Sequence, residues 1–300
     1  AMHNPKGRAN YEPNSWGEEG GPRENPGRGV RSFAAEETGP KTRLRPESFA
    51  DHYSQARQFY ISQTPIEQKH IGDALVFELS KVERPDIRSR LVSHLRHIDE
   101  GLAKTVANDL GLDLPKPAQA ARPVNDRLLP SDALSILKNG PGSFAGRKLG
   151  ILATEGADAE LFSALVAAVT KEKAACEIVC PKIGGVTLSD GTKIPAKQKI
   201  DGGPSVLFDA VAILASNEGA KLLAGDSTAK DFINDAFAHC KFIGYSPEAA
   251  LLFEKIGLAK DLDEACIALA SKADVGAFVK ACRALRYWKR EPAVDLDAKT

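Results

Sequence analysis

The stretch KLGILATEGADAELFSALVAAV, Lys148–Val169, decides the fold. Its first six residues, Lys148 to Ala153, are a short apolar run that stops at a polar loop, the pattern of a strand covered on both faces. Asp158 to Lys173 is rich in Ala and Leu and reads as a helix. Strand, short loop and helix together are half of a βαβ unit, and the same alternation continues downstream. Cys176–Cys180, Asp209–Ala215 and Phe242–Tyr245 read as further strands. Thr228–His239 and Pro247–Lys255 read as helices, and Asp274–Tyr287 as a closing helix. Ser189-Asp190-Gly191, inside Val186–Pro195, predicts a tight hairpin inserted in the alternation. The fold class expected is α/β, with a mainly parallel sheet between two helical layers over residues 147–300.

Upstream the pattern changes. Residues 112–146 carry repeated Pro, Gly and Asn without periodicity and read as a linker. Before it, residues 47–111 read as two helices packed as a hairpin. Thr64, Pro65 and Glu67 combine a capping box with Pro at the first helical position. Ile66, Ile71, Leu75, Leu79 and Val82 follow at helical spacing. The second helix is expected to run from Pro85 to Leu110, striped by Ile87, Leu91, Leu95, Ile98, Leu102 and Val106, and to stop at Gly111. Arg88, Arg90, Arg96, Asp99, Glu100 and Lys104 are expected on solvated faces. Residues 1–46 are rich in Gly, Pro, Arg, Asn and Glu, too poor in apolar side chains to fold alone, and read as an extended arm.

With 40 basic and 40 acidic residues the chain has no formal net charge, so it offers no electrostatic footprint for nucleic acid or an anionic membrane. Five dispersed cysteines in 300 residues suit a reducing compartment, and the cytoplasm is expected. No run approaches a membrane-spanning length, no apolar signal core opens the chain, and Ala1-Met2 reads as a tag scar or an artificial start.

Two stretches carry a resemblance. PKGRANYEPNS, Pro5–Ser15, and RPESFADHYSQARQFYISQTPIEQKHIGDALVFELSKVE, Arg45–Glu83, resemble the segment that follows the haem domain of haem catalases. The second region, through Lys148–Val169, Phe208–Ser246 and Ala249–Leu258, resembles the flavodoxin-like C-terminal domain of large-subunit catalases. That domain is itself similar to the class I glutamine amidotransferase and DJ-1-like family. The resemblance implies a parent enzyme that dismutates hydrogen peroxide at haem and works as a homotetramer. It makes residues 1–46 a wrapping arm and the other subunits the expected partners. The family's haem ligands, a distal His and Asn and a proximal Tyr four residues after an Arg, have no match here, so no cofactor is expected in this chain. It is expected to be a non-catalytic assembly and stability unit. The alternative is a holdase-like chaperone for unfolded clients.

In catalytic relatives of the second region a Cys follows the strand that Phe242–Tyr245 represents, where helix N-terminal amides lower its pKa. Here the residues are Gly244-Tyr245-Ser246-Pro247. Ser246 is the candidate nucleophile for a hydrolase, or else a helix cap; a nucleophilic serine needs a base, and His239 is the nearest histidine in sequence. Glu160 falls where relatives place an acid beside the Cys, and without that thiol reads as surface or cap. Cys176 and Cys180 read as buried thiols on one sheet face. His94 and His97 share a helical face without further metal ligands. Tyr287, after Arg283, mimics the proximal haem motif but sits in text like the terminal helix. Gly140, Gly142 and Gly146 precede a strand, so they are no dinucleotide fingerprint. Glu155 and Asp158 would repel a flavin phosphate from the loop after the first strand.

Overall fold

The structure is a computed structural model that describes residues 35, 36 and 38–295. Most of the expected arm, including Pro5–Ser15, lies outside the described residues. The chain forms two compact units, residues 1–50 and 51–300. In the first, a 3-10 turn spans Glu47–Ala50, and the Arg45 guanidinium lies 5.7 Å from the centre of the Phe49 ring.

The second unit begins with α1 (Ser54–Ser62), α2 (Pro65–Ser80), α3 (Pro85–Leu95) and α4 (Glu100–Asp109). The capping box expected at α2 is formed: Thr64 N–H donates to Glu67 Oε2 at 2.7 Å and Glu67 N–H to Thr64 Oγ1 at 3.4 Å. The expected pair of helices is corrected to four. Residues 54–62 lack an apolar stripe yet form α1, started by Asp51 Oδ1, which accepts from Ser54 N–H at 3.0 Å. The expected helix from Pro85 to Leu110 breaks at Arg96–Asp99, because Asp99 turns extended and caps Leu102 N–H at 3.0 Å. The apolar stripe runs through the break, so periodicity alone hid it. Leu79, Val92, Leu95, Leu102 and Val106 form the core of this region. α4 ends in a Schellman pair, with Leu112 N–H on Ala107 O at 2.8 Å and Gly111 N–H on Asn108 O at 2.9 Å.

Three of the residues expected as solvated face are structural. Asp99 is the cap; Arg88 donates to Val82 O at 2.6 Å and Ser80 O at 2.9 Å; Arg96 clasps Glu100 and donates to Pro115 O at 2.7 Å. Residues 112–146 contain one 3-10 turn, Asp132–Leu134, and lie along the helices by polar bonds. Asn125 N–H donates to Ser54 Oγ at 2.8 Å, Ser131 N–H to Ser62 Oγ at 2.9 Å, and Glu67 takes Ser135 Oγ–H at 2.8 Å and Leu137 N–H at 3.1 Å.

The remainder is an α/β sandwich: β1 (Lys148–Ala153), α5 (Ala159–Lys171), β2 (Ala175–Cys180), a hairpin of β3 (Val186–Thr187) and β4 (Lys193–Ile194), β5 (Gln198–Lys199), β6 (Ala210–Leu214), α6 (Asn217–Gly225), α7 (Ser227–Ala238), β7 (Ile243–Tyr245), α8 (Ala250–Lys255), β8 (Cys266–Ala268) and α9 (Lys272–Ala281). The sheet order is β5-β2-β1-β6-β7-β8 with every pairing parallel. Without the short edge strand β5 this is the doubly wound order 2-1-3-4-5. Leu149 and Ile151 face α5 and α9; Leu152, Val211 and Ile213 face α6, α7 and α8. Gly150 shares the second face, where a Cβ would stand 2.3 Å from the Phe208 ring, so only glycine lets that ring lie on β1. The hairpin forms where expected: Gly191 has φ +89°, its N–H reaches Leu188 O at 3.0 Å, and Leu188 N–H reaches Thr192 O at 2.8 Å. The helices expected at 228–239 and 247–255 are present; α6 and β8 were not expected, and the closing helix stops at Ala281 instead of Tyr287. A 3-10 turn, Cys282–Ala284, and Leu285 at φ +66° end it; a further 3-10 turn, Trp288–Arg290, leads into α10 (Glu291–Val294).

Candidate functional site

In an open parallel sheet, ligands collect beyond the carboxyl ends of the strands, where the order reverses. Here the reversal lies between β1 and β6, and loops fill it. Ser216 N–H donates to Thr154 Oγ1 at 3.1 Å, Ser216 Oγ–H to Glu155 O at 2.7 Å, and Thr187 N–H to the Glu155 carboxylate at 2.8 Å. Asp158 caps α5 through Leu161 N–H at 2.7 Å. Both acids of the loop are thus spent on the protein's own amides.

The neighbouring crevice, about 230 Å³, lies beyond β1, β7 and β8 and is bordered by Asp158, Glu160, Ser246, Glu248, Ser271 and Lys272. The structure therefore brings Ser246 and Glu160 to one cavity. Their states differ. Ser246 is buried, its Oγ accepting from Ala215 N–H and donating to Ala215 O, each at 3.1 Å. Both directions of the hydroxyl are used to stitch the end of β6 to the end of β7. Ser246 stands at the start of the Pro247–Ala249 turn, yet the hydroxyl caps nothing; its carbonyl accepts Ala249 N–H at 2.9 Å. Glu160 is 84% exposed, 3.6 Å from Lys272 Nζ. His239 is exposed at the end of α7, holds Asp235 O at 2.6 Å and lines a different cavity. No histidine borders the crevice at Ser246. The arrangement supplies an acid and a hydroxyl but no base to activate the hydroxyl.

Burial pushes the thiols of Cys176, Cys180 and Cys266 up to about 11, and raises Cys240 and Cys282 also. Cys176 and Cys180 both pack into apolar clusters. None of the five is a thiolate near neutral pH. His94 and His97 hold a tyrosine between them: Tyr53 OH lies 2.8 Å from His94 Nδ1, and its ring stacks on His97 with centroids 4.5 Å apart. His97 Nε2 reaches Ala118 O at 2.6 Å. Among the described residues no group of three His, Cys, Asp or Glu side chains could hold a metal ion. Tyr287 donates its phenol to Glu264 at 3.0 Å and packs edge-on to Phe242, so its oxygen is not presented to a haem.

Two buried charges escaped the sequence reading. Lys241 is 2% exposed, donates to Ser205 O at 2.5 Å, and is pushed down to about 8 by burial and by Arg286. Arg290 is equally buried; it forks onto Asp263 at 2.6 and 2.8 Å, donates to Phe237 O and Lys241 O, and lies 4.2 Å from the centre of the Phe237 ring. Lys241 stands between Cys240 and Phe242 in the sequence, a faint signal of a charge drawn inside, whereas Arg290 between Lys289 and Glu291 gives none.

Residues 46–110 match the family described as catalase-related immune-responsive, and residues 145–292 match the C-terminal domain found in long catalases. Catalase C of Rhizobium meliloti is 60% identical over 99% of this chain and 42% of its own length. Catalase HPII of Pseudomonas putida is 37% identical over 97% of the chain and 41% of its length. Catalase-2 of Bacillus subtilis is 31% identical over 84% and 36%. The chain thus spans about two-fifths of the length of these curated relatives.

Proposed function

From the premise that this chain belongs to the long catalases and corresponds to their C-terminal portion, we propose that it is a non-catalytic unit that assembles and stabilises a peroxide-dismutating haem enzyme. The observation that carries this reading is the state of the crevice. Where catalytic members of the fold need a free nucleophile, Ser246 is a buried stitch between two strands. A site spent on structure is what a scaffold keeps. The exposure of Phe59, Phe77, Leu129 and Ile136 in the helical region adds a face suited to covering by further polypeptide, which would be the rest of the enzyme and its other subunits. Haem belongs to that parent enzyme in this reading, and Tyr287, committed to Glu264, does not fit as its ligand here. No described helix is long and apolar enough to cross a membrane, and the free thiols support a cytoplasmic setting.

The test is an absorption spectrum after incubation with haem, with peroxide decay followed on the same sample. The expected result is no stoichiometric Soret band and no decay beyond free haem. A tight Soret complex with turnover overturns the reading, and Tyr287→Phe then becomes the first variant to make.

A second reading, a holdase-like chaperone, is favoured by the same exposed apolar side chains. Suppression of client aggregation that survives Ser246→Ala supports it; esterase activity lost in Ser246→Ala instead supports a hydrolase of the amidotransferase-like type, with Glu160 beside the nucleophile.

A further inference from the structure

After Leu285 the chain becomes a tail whose residues divide at helical spacing into two faces. Arg290 and Val294 point inward, Arg290 onto Asp263 and the carbonyls of Phe237 and Lys241, Val294 onto the apolar layer beneath α7 and α8. Trp288, Glu291 and Asp295 face α2. Glu291 Oε1 is 2.6 Å from His70 Nε2, and Trp288 lies over the same imidazole with centroids 5.0 Å apart. Lys69 Nζ sits between Asp73 at 2.7 Å and Asp295 at 2.8 Å. The polar bonds of residues 115–138, by contrast, run to α1, α2, α3 and the turn after α3, so they fasten that stretch to the helices and leave the placing of the α/β region to other contacts. Beside the tail a cavity of about 350 Å³, bordered by Lys69, His70, Arg286, Trp288 and Glu291, separates the two regions. Among the described residues the buried apolar clusters of the two regions are separate, and the polar bonds just given run between them.

We infer that residues 287–295 form a two-faced clasp, anchored in the α/β region by Arg290 and gripping α2 through His70, Glu291 and Trp288, which sets how the helical region stands on the sheet. The titratable groups lining the cavity with His70 are Glu291, Asp295 and Arg286 from the tail side, His239 and Cys240 after α7, and Lys69 and Asp73 from its own helix. His70→Glu therefore opposes carboxylates and opens the clasp.

Trp288 reports the state directly once Trp16→Phe has removed the other tryptophan. In that background, His70→Glu is expected to shift the closed-to-open ratio by roughly tenfold, the equivalent of one charge-assisted hydrogen bond. The readouts are stronger acrylamide quenching of Trp288 and a thermal unfolding transition that splits in two. Adding Glu291→Lys restores the wild-type signal. His70→Ala gives the same opening without a new charge and serves if His70→Glu does not fold. Unchanged quenching with a single transition in both variants overturns the clasp, and so does a charge swap that restores nothing.

Discussion

Between residues 148 and 295 a sheet is covered on both faces by aromatic and aliphatic side chains such as Phe232, Phe253 and Phe278, all fully buried. Between residues 51 and 138, all of them described, only eight apolar side chains are buried, four helices lie around them, and Phe59, Phe77, Leu129 and Ile136 remain in solvent. The second region compensates with polar bonds between side chains and backbone, centred on Glu67. One region holds its fold by burial, about 1.5–3 kcal/mol for each large apolar side chain removed from water. The other holds its shape by directed hydrogen bonds, each contributing about 1 kcal/mol, and leaves apolar surface for something else to cover.

The comparison can be broken at its strongest point. Phe278→Ala, in the α/β core, is expected to cost about 3–5 kcal/mol in denaturant unfolding, whereas Phe77→Ala, 62% exposed, is expected to cost close to nothing. Equal losses would mean that the helical region hides a core of its own. Next comes Glu67→Gln, expected to cost about 2 kcal/mol and to free residues 131–138 from α2, read as faster proteolysis there. Against the opposing effect of burial, four hydrogen bonds from Thr64, Ser135 and Leu137 hold the Glu67 carboxyl down at about 2. Its folded value lies below its unfolded one, so its stabilisation is complete above the ordinary carboxylate range and is lost as pH falls from there toward 2. The helical region should thus loosen in acid before the α/β core does, and Glu67→Gln should remove that difference.

Lys241 sharpens the contrast from the other side, since a core held by burial pays for a charge placed in it. Its ammonium titrates near 8 in the folded chain and near 10.5 unfolded, so the unfolded state binds more protons between those values and stability rises with pH across the window. Lys241→Met should flatten that slope, a change on the order of 1 kcal/mol in unfolding curves at pH 8 and pH 10. The smallest effect belongs to Arg84→Ala, whose ion pair with Asp86 is 72% and 58% exposed; less than about 0.5 kcal/mol is expected.

The alternation of β1, α5, β2, β6, α7 and β7 was legible because parallel strands enclosed on both faces leave continuous apolar runs. α6 was missed although Ser216 caps it, because nine residues with glycine at two positions carry little periodic signal; β8, three residues long, carries none. At the crevice, the meeting of Ser246 with Glu160 was expected only from the resemblance to relatives that place an acid beside a Cys there. What the sequence concealed was that Ser246 is already spent, since its partner is the backbone of Ala215, 31 positions away. The same holds for Tyr53 between His94 and His97, a contact across 41 positions that no local pattern announces.

The sheet ends at one side in β5, two residues long and carrying Lys199, and at the other in β8, three residues long. Unpaired strands of ordinary length are templates on which foreign chains add in register; these are too short to seed one, and a lysine ammonium stands on the shorter. The chain can thus leave apolar helix side chains exposed while its most polymerisable element stays closed to fibril growth.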